Sequence, residues 1–298
     1  MLDFREIQLS DKPWIESLLC KERVRSADYS FSNMYLWCKS FKLRVSEMNG
    51  RLAATYGCGN TFRYSYPVGS GPLAPAIELL REDAALRGRP FHLSGLTKEM
   101  LPALQSLYPD SFDLAEDRAY FDYVYSAEKL SLLAGKKLHS KRNHINRFTQ
   151  EYNWSFEPMT EDNLSECAAM NEKWLELAAE ERDMSFADEH AAIGAAFRNF
   201  SALGLEGGIL RVDGDVIAFA IGDKLCGDTY DIHFEKAIHT IEGAYTMINR
   251  EFARYITQKH PDVLYINRED DIGLENLRKS KMSYYPDFLV EKYTAIWR

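Results

Sequence analysis

No stretch of the sequence is long and apolar enough to cross a membrane, since no run approaches the roughly 18 residues a spanning helix needs. The opening MLDFREIQLSDK lacks the basic-then-apolar layout of a signal peptide. These absences lead us to expect a cytoplasmic protein with no transmembrane segment. No CxxC pair occurs among the five cysteines, Cys20, Cys38, Cys58, Cys167 and Cys226. An odd, scattered set argues for reduced thiols used as core filler and against a disulfide framework or a zinc site. The histidines are equally dispersed, and no P-loop, HExxH or calcium-loop motif is present. No metal centre is therefore expected. GCGNTF (57–62) follows a hairpin and not a βα turn, so it reads as a turn, and GSG (69–71) lacks nucleophile-elbow spacing.

Basic charge is also short. Lys and Arg number 36 against 45 Asp and Glu, a net charge of −9. The overall field repels phosphate, which works against nonspecific nucleic-acid or membrane attraction, and DNA is not an expected partner. What is present is an ordinary globular composition, 46% hydrophobic and 27% charged over 298 residues, enough for one large domain or two smaller ones.

The chain reads twice. FREIQLSDKPWIESLLCKE near the start has the layout of FEPMTEDNLSECAAMNEKWLEL from residue 156: a short strand, then a helix. In the second copy, Leu164, Ala168, Trp174, Leu175 and Ala178 fall on one helical stripe. FKLRVSEMNGRLAATYG (41–57) has a counterpart in GILRVDGDVIAFAIGDKL (208–225), each a hairpin turning at Gly50 or Gly214. APAIELLREDAALRGRPFHLSG and GAYTMINREFARYITQKHPDVLYIN both read as a helix followed by a strand. AYFDYVYS (119–126) and YYPDFLVEKY (284–293) both read as closing strands. Between the copies, SAEKLSLLAGKKLHSKRNHINRFTQEYN reads as helix broken near Gly135. This order implies a mixed sheet layered with helices.

That order resembles the GCN5-related N-acetyltransferase (GNAT) unit, and two such units in tandem resemble Fem-type aminoacyl transferases. The basic segment KRNHINRF (141–148) and the closing segment NREDDIGLENLRKSKMSYYP (267–286) sharpen this into a resemblance to the phosphatidylglycerol lysyltransferase C-terminal domain family. The resemblance implies an α/β (α+β) fold of two tandem GNAT-like units, each a mixed central sheet flanked by helices. It divides the chain into a unit at 1–126, a basic connecting helix at 127–152 and a unit at 153–298 carrying the active site. It also implies transfer of an aminoacyl group from charged tRNA to a small-molecule or lipid acceptor bearing a hydroxyl or amine. The wider superfamily uses acyl-CoA, held by a glycine-rich loop opening the helix after the fourth strand. At that place this sequence has HTIEGAYTMI, in which only Gly243 and Ala244 remain, so no cofactor is expected although acyl-CoA stays an alternative. A second alternative is a non-catalytic RNA- or anion-binding module on the same fold.

Three segments carry the candidate chemistry. From Lys129 to Gln150 there is no acidic residue. On a helix, Leu138, Ile145, Phe148 and Tyr152 form a buried stripe, Asn143 and Arg147 point away from it, and Lys141 and Arg142 flank it, where their heads can reach a neighbouring groove to hold an anion. On the strand DTYDIHFEKA, alternation puts Asp231, His233 and Glu235 on one face and Tyr230, Ile232 and Phe234 on the other. Three ionisable groups are costly to bury unless they are paired or line a cleft. Gly243 and Ala244, opening the following helix, offer N–H groups to an anionic donor. In the third segment, Asn267, Arg268, Glu269 and Asp270 follow a strand end, ahead of Arg278, Lys279, Lys281 and Tyr284. We expect Glu269 or Asp231 as general base and Arg268, Lys281 and Arg147 as anion and oxyanion contacts. The bland counterpart is a short helix with acids at its start and bases at its end.

Overall fold

The computed structural model describes residues 1–177 and 184–298. Ala178, placed above on a buried stripe, lies outside them. The hairpins form as read. Arg44–Glu47 pairs with Arg51–Tyr56, and Glu206–Val212 with Asp215–Lys224. The turn pairs Asn49–Gly50 and Asp213–Gly214 all have positive φ, the backbone that matches the twist of a two-residue hairpin.

Each hairpin extends into one of two mixed sheets of the same design. In the first, Arg5–Glu6, Arg44–Glu47, Arg51–Tyr56 and Arg63–Ser65 run antiparallel, and Arg63–Ser65 then pairs in parallel with His92–Thr97. In the second, Trp154–Pro158, Glu206–Val212, Asp215–Lys224 and Thr229–Ala237 run antiparallel, and Thr229–Ala237 then pairs in parallel with Tyr265–Asn267. Helices Leu73–Leu86 and Ala244–Lys259 make the crossovers. These are two GNAT-like units, as the repeated element order implied.

The sheets do not divide at residue 126. Asp122–Ser126 lies in the second sheet, between Tyr265–Asn267 and Phe288–Val290, and Lys292–Trp297 lies in the first, between His92–Thr97 and Phe112–Glu116. Each closing strand is thus donated to the other unit. The segment 284–293, read as one closing strand, is thereby divided: Phe288–Val290 stays in the second sheet and Lys292–Trp297 crosses to the first, because a strand's alternation sets its two faces but not the sheet that receives it.

One apolar cluster fills the first unit and continues onto one face of the second sheet, where Ile221 and Phe234 join it. The other face, with Tyr230, Ile232 and Ile266, is covered by Ala244–Lys259 and by the linking helices Ala127–Leu132 and His139–Glu151. Those two helices break around Gly135 as expected, and Leu138, Ile145 and Phe148 of the expected stripe are buried. Helix Leu164–Leu177 turns Leu164, Cys167, Met170, Asn171 and Trp174 inward. Across the junction, Arg25 pairs with Asp228, buried Lys292 with Asp122 at 2.7 Å, and Cys20 is disulfide-bonded to Cys226 with Cα atoms 4.9 Å apart. That bond corrects the expectation of reduced thiols throughout: its halves stand 206 positions apart and meet only because the units pack together. Among the described residues, no helix is long and apolar enough to cross a membrane.

Candidate functional site

The site forms where the parallel strands of the second sheet part. Thr229–Ala237 and Tyr265–Asn267 are in register only at Thr229↔Tyr265, Tyr230↔Ile266 and Asp231↔Asn267. Beyond that point the longer strand runs on, while its partner turns away at Arg268 and Glu269. Glu269 has φ +55°, a conformation few non-glycine residues adopt. The turn is pinned from several sides. Asn267 Oδ1 accepts from the Glu269 N–H at 2.6 Å, Tyr123 exchanges backbone hydrogen bonds with Arg268 and Glu269 at 3.0 Å, and buried Lys281 donates to the carbonyls of Arg268 and Asp270.

A β-bulge decides which side chains meet. Ile221 pairs with Phe234 and Gly222 with Ile232, leaving His233 as the extra residue. A Cβ at Gly222 would fall 2.0 Å from the Asp231 carbonyl, so the backbones approach this closely only because position 222 is glycine. Alternation breaks at the bulge. Ile232 packs with Tyr230, whereas Phe234 joins the opposite face, its ring 6.2 Å from that of Trp37. The expectation that Asp231, His233 and Glu235 share one face is therefore corrected: the first two stay together and Glu235 goes to the other side.

On the junction side, His233 is enclosed by carboxylates. Its Nε2 lies 3.1 Å from Asp223 Oδ1, and its Nδ1 lies 3.1 Å from Glu269 Oε1 and 3.5 Å from Asp231 Oδ2. Burial alone would lower its pKa, but Asp223, Glu269 and Asp231 outweigh burial and raise it well above the ordinary value. Asp231 is fully buried, neither of its carboxylate oxygens has a hydrogen-bond partner among the described residues, and burial drives its pKa well upward. Asp223 also reaches the first unit, accepting from the hydroxyl of Ser32.

On the helix side lies a second cluster. Arg268 Nη2 donates to Glu235 Oε1 at 2.9 Å, and Asn249 Nδ2 donates to Glu235 Oε2 at 2.8 Å. The Arg268 guanidinium stands over the buried Tyr284 ring at 5.0 Å, and the Lys141 ammonium stands over that ring at 4.0 Å. Burial, and then the nearby Arg268, push the Lys141 pKa down to about 8, with Glu235 opposing. Among the described residues, Arg268 Nη1 and Asn249 Oδ1 are buried without hydrogen-bond partners. The basic helix and the two strand ends, far apart in sequence, thus meet at one place.

Other candidates go elsewhere. Arg147 is exposed and pairs with Glu151 and Glu242 at 2.7 Å, away from both clusters, and Asn143 is exposed. Arg142 donates to the carbonyls of Leu133 and Gly135, closing the bend before its helix. Asn267 spends its amide on Arg25 O and Asp122 Oδ2. Asp271 is held down to about 2: burial would raise it, but Arg278, Tyr123 and the Gly273 N–H prevail. Lys279 pairs with Glu275 on an exposed helix turn. Asp271 with Arg278 and Glu275 with Lys279 are thus paired within this segment, acids ahead of bases around a short helix. Burial pushes Asp270 up to about 7 against the pull of Lys292 and Lys281. Gly243, at φ +85°, begins helix Ala244–Lys259 under the basic helix, and Ala244 is buried beside it. Asp223 and Asn249 were not picked out in the sequence; the register Asp223↔Asp231 that makes the first relevant exists only once the strands pair.

Comparison with known proteins agrees with this architecture. Residues 21–296 match the family described as phosphatidylglycerol lysyltransferase, C-terminal. A conserved protein of unknown function from Bacteroides thetaiotaomicron has a solved structure that is 38% identical, with a TM-score of 0.94 over 100% of both chains. The C-terminal domain of a putative lysylphosphatidylglycerol synthetase from Agrobacterium fabrum is 14% identical, with a TM-score of 0.69 over 97% of this chain and 92% of that one. An uncharacterised protein of Mycoplasmoides gallisepticum is 24% identical over 215 residues, 65% of this chain, and the match spans only 66% of that protein's length. With the family matched from residue 21 to residue 296 and a structural relative superposing over its whole length, this chain belongs to the phosphatidylglycerol lysyltransferase C-terminal domain family.

Proposed function

We propose that the protein transfers an aminoacyl group from charged tRNA to a hydroxyl or amine acceptor, with the Lys141–Tyr284–Arg268–Glu235 cluster as its working centre. Membership of the family supports an aminoacyl transferase, and the observation that carries the assignment is Lys141 held over Tyr284 beside Arg268, where its pKa falls to about 8. An amine that titrates near working pH is suited to accept a proton from an attacking nucleophile. Lys141 fits this role better than the expected Glu269, which faces His233, or Asp231, which is fully buried. The acceptor oxygen or nitrogen attacks the ester carbonyl as Lys141 takes its proton. Arg268 Nη1, with no protein partner, supports the oxyanion. The carbonyl then re-forms, its bond to the ribose oxygen breaks, and the proton passes to that oxygen.

Acyl-CoA use is disfavoured by a specific contact. In the acetyltransferase fold the pyrophosphate sits at the start of the helix that here begins at Ala244. A Cβ on Gly243 would lie 3.1 Å from the His144 carbonyl and 3.3 Å from Phe148 Cβ, so the basic helix already covers that end. The test is consumption of aminoacyl-tRNA by wild type and by Lys141→Met, with acetyl-CoA in a parallel thermal-shift assay. Turnover lost in the variant supports the reading. Tight, steeply salt-dependent tRNA binding without turnover would favour a binding module, and stabilisation by acetyl-CoA would favour the coenzyme.

A further inference from the structure

The carboxylates around His233 pose a problem that the transfer reading does not use. Asp231 is 0% exposed, and among the described residues neither of its oxygens has a hydrogen-bond donor. A buried ionised carboxylate in that position is costly by several kcal/mol unless something positive meets it. His233 Nδ1 lies 3.5 Å from Oδ2, and that same nitrogen faces Glu269 Oε1 at 3.1 Å. Two carboxylates therefore converge on one ring nitrogen.

We propose that Asp231, His233 Nδ1 and Glu269 bind a divalent transition-metal cation, with Zn2+ as the first candidate. One donor atom from each residue lies within 4.8 Å of the others. With bonds of roughly 2.1 Å, tetrahedral ligands stand about 3.4 Å apart, close to the 3.1 and 3.5 Å separations at Nδ1. The other ring nitrogen is arranged to match. Asp223 Oδ1 lies 3.1 Å from Nε2, so the Nε2–H donates to it, and an arriving cation displaces the proton that Nδ1 holds between Asp231 and Glu269, freeing the Nδ1 lone pair, the carboxylate–histidine–metal relay of many such sites. One nitrogen and carboxylate oxygens suit Zn2+ or Mn2+ better than Mg2+. Glu269, 21% exposed at its side chain, leaves the side through which a cation and a fourth ligand enter. The residues lie on two strands and on a turn pinned at positive φ, so the donors are gathered before any ion arrives. No spacing motif marks them, because Asp231 and His233 share a strand while Glu269 comes 36 positions later. The cation would tie the parted strand ends together and, through Asp223 and Ser32, join them to the first unit.

This site stands apart from the transfer reading, and its test needs no activity. The full-length protein is stripped with chelator, dialysed, and titrated calorimetrically with ZnCl2, and metal content is measured after gel filtration. Wild type is expected to retain one Zn2+ per chain and to gain thermal stability with it. Glu269→Gln, at the partly exposed ligand, is expected to weaken binding more than tenfold, and Asp223→Asn about 10- to 100-fold as a loss of support to the histidine. If His233→Gln or Asp231→Asn does not fold, the Glu269→Gln and Asp223→Asn pair decides. Substoichiometric metal in the wild type, or full retention in both of those variants, would overturn the proposal.

Discussion

Arg268 and Glu235 meet at 2.9 Å across the gap between two parallel strands, each with 10% of its side chain exposed. Arg268 also keeps one buried nitrogen, Nη1, without a hydrogen-bond partner among the described residues. Removing Arg268 leaves the Glu235 carboxylate buried with only the Asn249 amide, and removing Glu235 leaves the Arg268 charge buried against the Tyr284 ring. Arg268→Ala and Glu235→Ala should each destabilise the fold by about 3 kcal/mol, and the double variant should lose much less than the sum. Chemical denaturation of the four proteins measures the coupling. Additive losses would show that the pair is not a unit.

Lys141 gives the pH signature of the proposed centre. As base it works deprotonated, so transfer should rise with pH through a midpoint at about 8 and level off above it. Lys141→Met should lower the rate about 10²- to 10⁴-fold and abolish that limb while leaving unfolding unchanged within about 1 kcal/mol. Rates measured from pH 6 to 9.5 with aminoacyl-tRNA test this. A limb that survives in the variant would assign the titration to another group.

Asp271 tests the opposite assignment, a structural role inside a segment that otherwise looks functional. It is fully buried, accepts from Arg278 Nε and Nη2 at 2.8 and 2.9 Å, and accepts from the Tyr123 hydroxyl at 2.5 Å. Asp271→Ala should cost about 3–5 kcal/mol of stability. Lys279→Ala, on the same short helix but paired only at the surface, should cost under about 1 kcal/mol. Thermal melts of the two distinguish an anchored turn from a generally charged helix.

How much of this was legible in the sequence depended on the range of the interaction. Hairpins, crossover helices and the broken basic linker are local, and Gly50, Gly214 and Gly135 marked the two turns and the break. The strand exchange was not legible: 284–293 read as one closing strand, yet Phe288–Val290 pairs in the second sheet while Lys292–Trp297 crosses to the first, a choice only long-range pairing makes. The site was half legible. Lys141, Arg268, Glu235 and Tyr284 were singled out and do converge, but Arg147, one helical turn and a half beyond Lys141, faces solvent. The bulge at His233 was invisible, since it arises where Gly222 lets two backbones close in. Cys20 and Cys226 carried no spacing signal at all.

Gly243 is held in a left-handed conformation at the start of helix Ala244–Lys259, against the His144 carbonyl. Gly243→Ala adds backbone strain and a Cβ that must displace the basic helix, a combined cost of about 1–2 kcal/mol. Because Lys141 sits one turn before His144, the variant should lower transfer by altering Lys141 placement without touching a charged group. A melt and a pH–rate profile together check this: a shifted midpoint with modest destabilisation is expected. An unchanged profile would mean that the helix holds its position independently of residue 243.

The exchanged strands make a prediction about the chain as a whole. A fragment ending at residue 126 lacks Lys292–Trp297, which leaves His92–Thr97 and Phe112–Glu116 with open edges in mid-sheet. The fragment from 127 lacks Asp122–Ser126, and so exposes Tyr265–Asn267 and Phe288–Val290. Lys292 would also lose Asp122, its 2.7 Å partner in a buried site. Neither fragment should fold alone, although together they should reassemble, and the intact protein should unfold in one transition despite containing two units. Calorimetry of the whole chain, with circular dichroism of the fragments separately and mixed, decides the matter. Two separate transitions, or a cooperatively folded 1–126 fragment, would mean that the donated strands contribute little to either sheet.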